Sequence, residues 1–270
     1  MIASKPYRIG IVGASSLAGK ELSDALAESS LAVYDVALLD DEGTAGQLTT
    51  AGDDVSFIQK IDADSFAGID FVFFAGDPDT TRKYWKTARL AGASIVDMTY
   101  ALETEPGVVL RAPWVGSLAT TSGEGHSRTR EPDLTTPAVV AAHPAALMLL
   151  LAAQRLHAKY PLRAMSATVF EPASEHGRSA MDELHQQTVS LLSFQNLPRE
   201  QYGAQVAFNL LPSLGEASKV NLTSAKERIF DHYSALSEGM PFCMDLRLVQ
   251  APVFHGYVAS VLVELQTPAT

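Results

Sequence analysis

Apolar and polar positions follow two different rhythms along this chain. In the first hundred residues, short apolar runs alternate with helix-length amphipathic stretches. Residues 7–13, Tyr-Arg-Ile-Gly-Ile-Val-Gly, read as a short buried strand, rich in β-branched residues and ending at a glycine. The stretch 20–29 predicts a helix with Leu22, Ala25, Leu26 and Ser29 on one face, and 32–39 is the next apolar run. Residues 69–75 predict a fully buried strand and 76–80 a turn with N-cap chemistry. A helix over 79–91, stopped by Gly92, and a strand over 93–97 follow. This β-α-β-α-β alternation predicts an α/β class domain, Rossmann-like, with a doubly wound parallel sheet.

The second half has a different rhythm. From 117 to 136 the composition turns to Ser, Thr, Gly and charge, which reads as a surface loop approaching a second domain. Residues 138–142 predict a strand, and His143-Pro-Ala-Ala opens an apolar helix over 147–157. Strands are expected at 162–170, 243–254 and 258–265. An amphipathic helix over 178–193 carries Met181, Leu184, Thr188, Leu191 and Leu192 on one side. Strands without regular βαβ spacing predict an α+β domain on an antiparallel or mixed sheet. The division expected is therefore 1–136, dinucleotide-binding, and 137–270, α+β. There is no repeat and no low-complexity tract.

Composition narrows the function classes. The net charge is −11 over 270 residues, which argues against a nucleic-acid partner or an anionic membrane surface. The longest apolar run, 145–153, is too short to span a bilayer. No long apolar segment precedes Gly13, so the expectation is a cytoplasmic protein. One cysteine, Cys243, excludes an intramolecular disulfide and a thiolate metal cage. Seven histidines show no ligand spacing, so no metal is expected.

The first turn carries candidate chemistry. Gly13-Ala-Ser-Ser-Leu-Ala-Gly19 follows a strand and opens a helix, so backbone N–H groups and a helix N-terminus face the place a pyrophosphate would take. The cofactor-binding candidates are Gly13, Ser15, Ser16, Leu17 and Gly19, with Gly76 in the next turn. Asp40, followed by Asp41, closes the second apolar run. An acid there accepts from a ribose 2′-OH and repels a 2′-phosphate, favouring NAD over NADP. A solvated acidic loop is the plain alternative.

Several blocks extend the pattern along most of the chain. They are Ile11-Val-Gly-Ala-Ser-Ser-Leu-Ala-Gly19, Ala45-Gly46, Ile95-Val-Asp97 and Ser174-Glu-His-Gly-Arg-Ser-Ala-Met-Asp-Glu-Leu184. Ala207-Phe-Asn-Leu-Leu-Pro212, Lys226-Glu-Arg-Ile-Phe230 and Val249-Gln-Ala-Pro-Val-Phe-His-Gly256 continue the series. In order and spacing these resemble the aspartate-semialdehyde dehydrogenase family, most closely its divergent Usg-type relatives. The resemblance implies a homodimer formed through the second domain. It also implies an ancestral NAD(P)-dependent oxidoreductase activity linked to amino-acid biosynthesis.

The same resemblance implies that this activity is lost. The family's cysteine nucleophile, at a helix N-terminus that lowers its pKa, corresponds to Ala146 in His143-Pro-Ala-Ala-Leu-Met148. A methyl group cannot attack a carbonyl. The family's acid/base histidine corresponds to Tyr257, whose ordinary pKa near 10 suits proton transfer poorly at neutral pH. Its active-site glutamine corresponds to Glu171, its carboxylate-gripping arginine to Gln250 and its phosphate-gripping arginine to Glu103. Two guanidinium groups are gone and two carboxylates have appeared, so an anionic acyl phosphate is repelled. Ser16 replaces the middle glycine of the family turn and suits a positive φ less well. The family's chains continue past the strand 258–265, so the second domain is expected to be shorter here.

Three readings result. The first is a non-catalytic homodimer that binds NAD as a regulatory or scaffold protein. The second is an oxidoreductase with an altered substrate, using Tyr257 or Glu171 as acid/base. The third is a binding partner without a nucleotide. The combined losses favour the first. If the family pocket persists, Glu103, Glu171, His255 and Tyr257 converge in it. The preferred expectation is a collapsed pocket whose polar residues satisfy one another.

Overall fold

The computed structural model describes residues 7–29, 31, 33–51, 54–112, 115, 136–237, 240 and 242–268. The loop expected at 117–136 lies outside the described residues except for Thr136. The chain forms two compact units, one of Met1–Arg111 with Thr129–Ala141 and the other of Ala112–Arg128 with Ala142–Thr270.

The first unit is built on β1 (Tyr7–Val12), whose alternate residues face opposite sides. Ile9 and Ile11 enter one apolar cluster and Val12 the other. It is flanked by β2 (Val33–Asp40) and, beyond the hairpin β3 (Leu48–Ala51) and β4 (Asp54–Phe57), by β5 (Gln59–Lys60), β6 (Phe71–Phe74), β7 (Ser94–Asp97), β8 (Val109–Arg111) and β9 (Val139–Ala141). The sheet order is β5-β2-β1-β6-β7-β9-β8, and every pairing in it is parallel. Helices α1 (Leu17–Glu28) and α2 (Pro78–Leu90) pack on opposite clusters, α1 through Leu22 and Leu26 and α2 through Trp85 and Ala88. This is the doubly wound parallel sheet expected from the alternation.

The face of α1 differs from expectation. Gly19 and Ser23 are its buried positions, beside Leu22 and Leu26, whereas Ala25 and Ser29 are exposed. Positions 19, 22, 23 and 26 form a true helical stripe, and a serine inside it hid the pattern. Strands β3, β4, β5 and β8 carry too few apolar residues to announce themselves.

The second unit has a mixed three-stranded sheet, β11-β10-β12. Here β10 (Leu162–Glu171) runs parallel to β11 (Cys243–Gln250) and antiparallel to β12 (Val258–Leu265). The strand expected over 243–254 stops at Gln250, because Pro252 has no N–H for the ladder and Ala251 instead donates to Glu171 O at 3.0 Å. One face of the sheet packs on α3 (Pro144–Lys159), α4 (Gly177–Leu192) and α5 (Leu222–Leu236) in a single cluster around Leu149, Leu150, Met165, Tyr202 and Ile229. Helix α3 starts earlier than expected, with Pro144 at its first position, where the missing N–H costs nothing. Helix α5, capped by Asn221 accepting from Ser224 N–H, was not legible in the sequence.

The buried face of α4 also differs. It comprises Ala180, Glu183, Leu184 and Gln187, while Leu192 is 70% exposed. The two polar residues hold the following segment in place. Glu183 accepts from Gln201 N–H (2.7 Å) and Tyr202 N–H (3.1 Å). Gln187 Oε1 accepts from Val206 N–H and Ala207 N–H (2.8 and 3.1 Å), and its Nε2 donates to Pro198 O and Ala204 O (2.8 and 2.9 Å). A segment with little regular structure is thereby buried with its backbone satisfied. Among the described residues, no helix is long and apolar enough to cross a membrane.

Replacing Gln187 with Leu leaves four backbone groups of 198–207 without partners at nearly unchanged volume. Urea unfolding is expected to show a loss of at least about 4 kcal/mol, since four buried polar groups are left unpaired at about 1–3 kcal/mol each. A loss below about 0.5 kcal/mol would refute this role.

Candidate functional site

The turn after β1 is shaped by contact between two backbones. Gly13 has φ +83°, and a Cβ there would lie 2.3 Å from Gly76 Cα. Only glycine at both positions lets the turns after β1 and β6 touch. Ser16 does not need the positive φ of a glycine: it sits at φ −66°, ψ 164° and caps α1. Its Oγ accepts from Gly19 N–H at 2.9 Å and donates to Ala75 O at 2.8 Å.

Most amides of this turn are consumed internally. Gly13 and Ala14 donate to Leu39 O, Ser16 to Gly13 O and Lys20 to Ser16 O. Ser15 N–H donates to Asp40 Oδ2 at 2.8 Å, and Asp40 Oδ1 accepts from Asp41 N–H at 2.9 Å. Among the described residues no hydrogen bond takes up the N–H groups of Leu17 and Ala18, at the start of a twelve-residue helix. Two free amides at a positive helix end fit one phosphate of a dinucleotide. Each Asp40 oxygen keeps a second lone pair, so the carboxylate can still accept from a hydroxyl. Gly76 serves through its backbone packing on Gly13.

In the second unit, the polar residues gather at the N-terminus of α3. Ala146 lies in the first turn of that helix and is fully buried. His143 precedes it, and its Nδ1 accepts from Ala145 N–H at 3.2 Å. The ring proton therefore sits on Nε2, which faces Glu175 Oε1 at 3.2 Å. The His143 backbone N–H donates to His232 Nδ1 at 2.9 Å, which ties α5 to this point. The Tyr257 ring packs edge-on against His143, with centroids 5.7 Å apart, and its hydroxyl helps to favour the ionised form of Glu175. Burial pushes the Glu175 carboxyl up. The hydrogen bond and charge of His143, the Tyr257 hydroxyl and the charge of His176 outweigh it, so the net direction is below the ordinary value.

Beside this network, Glu171 and Gln250 end β10 and β11 as register partners. Both are fully buried. Glu171 Oε2 meets His176 Nε2 at 2.9 Å, and Gln250 Nε2 donates to Glu171 O and Ala251 O at 3.1 and 3.2 Å. Glu171 Oε1 and Gln250 Oε1 have no partner among the described residues. Cys243 opens β11 at its opposite end, seven residues from Gln250. At about 3.3 Å per residue that is roughly 23 Å away, so no thiol approaches Ala146 along this sheet.

The expected convergence is realised only in part. The structure brings Glu171 and Tyr257 into one polar neighbourhood through His176, Glu175 and His143. His255 is exposed, and Glu103 lies in the first unit on an exposed turn after β7. His143, Glu175, His176 and His232 were not singled out for this site. His143 carried one legible sign, a polar residue directly before a helix-opening proline. Among the described residues, no group of three or more His, Cys, Asp or Glu side chains could hold a metal ion.

Fold and site define a doubly wound α/β unit and a second, sheet-based unit in which Ala146 stands in the first turn of a helix. Residues 8–121 match the semialdehyde dehydrogenase NAD-binding domain, and residues 154–270 match the semialdehyde dehydrogenase dimerisation domain. The chain belongs to the semialdehyde dehydrogenase family, on its Usg-like branch. The USG-1 protein homolog of Pseudomonas aeruginosa is 30% identical over 266 residues, which cover 98% of this chain and 76% of that one. Aspartate-semialdehyde dehydrogenase of Rickettsia typhi is 24% identical over 97% of this chain and 74% of its own. The crystal structure of aspartate semialdehyde dehydrogenase II from Vibrio cholerae shares the fold, with a TM-score of 0.83 at 19% identity, over 98% of this chain and 76% of that one. Within this family the chain is catalytically degenerate, since the sulfur that its thioester chemistry requires is absent from the site.

The lowered Glu175 value makes a pH prediction. A depressed carboxyl stabilises the fold fully above its unfolded value of about 4.5, and the contribution is lost as pH falls through the folded value. Below pH 4.5, urea midpoints of the parent protein should fall faster than those of Glu175→Gln. Parallel curves for the two proteins would show that Glu175 carries no such linkage.

Proposed function

We propose that this protein is a homodimeric, NAD-binding, non-catalytic member of its family, acting as a regulatory or scaffold protein. The observation that carries the reading is the contrast between its two candidate sites. The phosphate turn keeps free Leu17 and Ala18 amides and an Asp40 carboxylate suited to a ribose hydroxyl. The helix N-terminus at Ala146 has lost its sulfur and is surrounded by an internal His143–Glu175–Tyr257 network. A bound nicotinamide would supply a hydride acceptor, but Ala146 offers no thiolate to form the thiohemiacetal from which a hydride would leave. Gly13, Ser15, Ser16, Gly19 and Gly76 shape the turn, Leu17 meets the phosphate, and Asp40 meets the ribose while excluding a 2′-phosphate.

The dimer reading rests on the uncovered face of the second sheet. Thr168, Phe170, Val258, Ser260 and Leu262 share that face by register, with Val258 61% and Leu262 75% exposed. An apolar sheet face of this kind in a dimerisation domain is suited to a second copy of the chain.

Calorimetric titration tests the nucleotide reading. NAD is expected to bind saturably and NADP at least about tenfold more weakly, since a 2′-phosphate meets the Asp40 charge. Asp40→Asn should narrow that gap. Absence of saturable NAD binding would overturn it. Light scattering should give a dimer for the parent chain and a monomer for Leu262→Arg; a monomeric parent at high concentration would refute the dimer. Ala146→Cys alone should restore no phosphate-dependent reduction of NAD(P) with aspartate semialdehyde. Glu171 and Gln250 would still supply no cation to grip phosphate or a substrate carboxylate.

A further inference from the structure

Four buried side-chain atoms of the second unit lack partners among the described residues: Gln154 Oε1, Glu171 Oε1, Gln250 Oε1 and the Tyr202 hydroxyl, the last three on fully buried residues. Other buried polar groups of this unit, such as Gln187 and His143, make several contacts each. Glu171 and Gln250 are register partners on adjacent parallel strands, so their side chains leave the same face of the sheet about 4.8 Å apart. That face is the helix-covered one, which Val169 and Leu248 also line. His176 occupies the second Glu171 oxygen, and the Gln250 amide nitrogen is used twice. This leaves one acceptor oxygen, and no donor, free on each of the two side chains.

We propose that Glu171 and Gln250 form a buried acceptor site for the ammonium group of a small amine. Two acceptors without a donor select an occupant that brings at least two N–H groups, and the Glu171 carboxylate favours a positive one. A bare metal ion is a poor match, since hard cations demand a larger shell of oxygens than the two offered here. An anion is excluded by the same carboxylate. This inference is independent of the nucleotide reading, because every residue it uses lies in the second unit.

The test is thermal unfolding of the full chain in ammonium, methylammonium, sodium and tetramethylammonium chlorides at equal ionic strength. Ammonium and methylammonium, which carry N–H groups, are expected to raise the midpoint by about 3 °C at ten times their Kd. Sodium and tetramethylammonium should not. Glu171→Gln and Gln250→Leu should each remove the ammonium response. Gln250→Arg supplies a tethered cation beside Glu171; it should melt above the parent in sodium chloride and show no ammonium response. The Arg variant tests the proposal even where Glu171→Gln fails to fold. Equal midpoints in ammonium and sodium for the parent would mean that these oxygens take only water, and would overturn the proposal. A response retained in Gln250→Arg would do the same.

Discussion

The parallel register of β10 against β11 is the constraint on which the second unit depends. Eight consecutive pairs, from Ala164 with Cys243 to Glu171 with Gln250, leave no freedom to slide. A slip of one residue would turn the core face of either strand outward. The register therefore decides at once that Glu171 and Gln250 share the helix-covered face beside α3. It also keeps the chain's one thiol at the far end of the same sheet. Pro252 then ends the ladder, and the chain turns so that Ala173 and Ser174 can pair with Val253 and Phe254. The turn Ala173–His176 delivers Glu175 and His176 to the α3 N-terminus. The polar network of His143, Glu175, His176 and Glu171 is thus assembled by one strand pairing and the residues at its end.

The two units treat their helix N-termini differently. In the first, α1 leaves two amides open toward solvent while the preceding amides are consumed by Leu39, Asp40 and Ser16. In the second, His143 folds its own ring onto α3 and turns the opposite nitrogen to Glu175, closing the end that a thiolate would have used. A positive helix end stabilises an anion in either setting. One unit keeps that capacity for an incoming group, and the other satisfies it with an internal carboxylate.

Much of the first unit was legible because its physics is local. A buried parallel strand is a continuous apolar run, and a turn that must bring two backbones together requires glycine at positions 13 and 76. Ser16 misled in one respect: judged as a missing glycine it looked strained, yet as an N-cap it needs only ordinary extended angles. The second unit was less legible because polar residues do its structural work. Glu183 and Gln187 occupy core positions of α4, so an apolar stripe gave the wrong face. Helix α5 carries His232 and Tyr233 where a pattern reader looks for leucine, and both are buried. At the site, Ala146, Glu171, Gln250 and Tyr257 could be named from matching blocks, but the pairing of His143 with Glu175 spans 32 positions. Only the folded register brings that pair together.

The contrast among buried polar groups carries the last step. Asp97 is fully buried in the first unit and accepts from Thr99 N–H, Thr99 Oγ1 and Leu102 N–H. Gln187 serves four backbone groups. Glu171 and Gln250 differ from these groups in keeping one unmet oxygen each at adjacent strand ends, on fully buried side chains. Two apolar residues of similar volume would stabilise the same sheet better, because an unmet buried acceptor costs more than an absent one. A donor-bearing occupant at the paired ends of β10 and β11 would supply what the two oxygens lack, and the Glu171 carboxylate favours one that is positively charged.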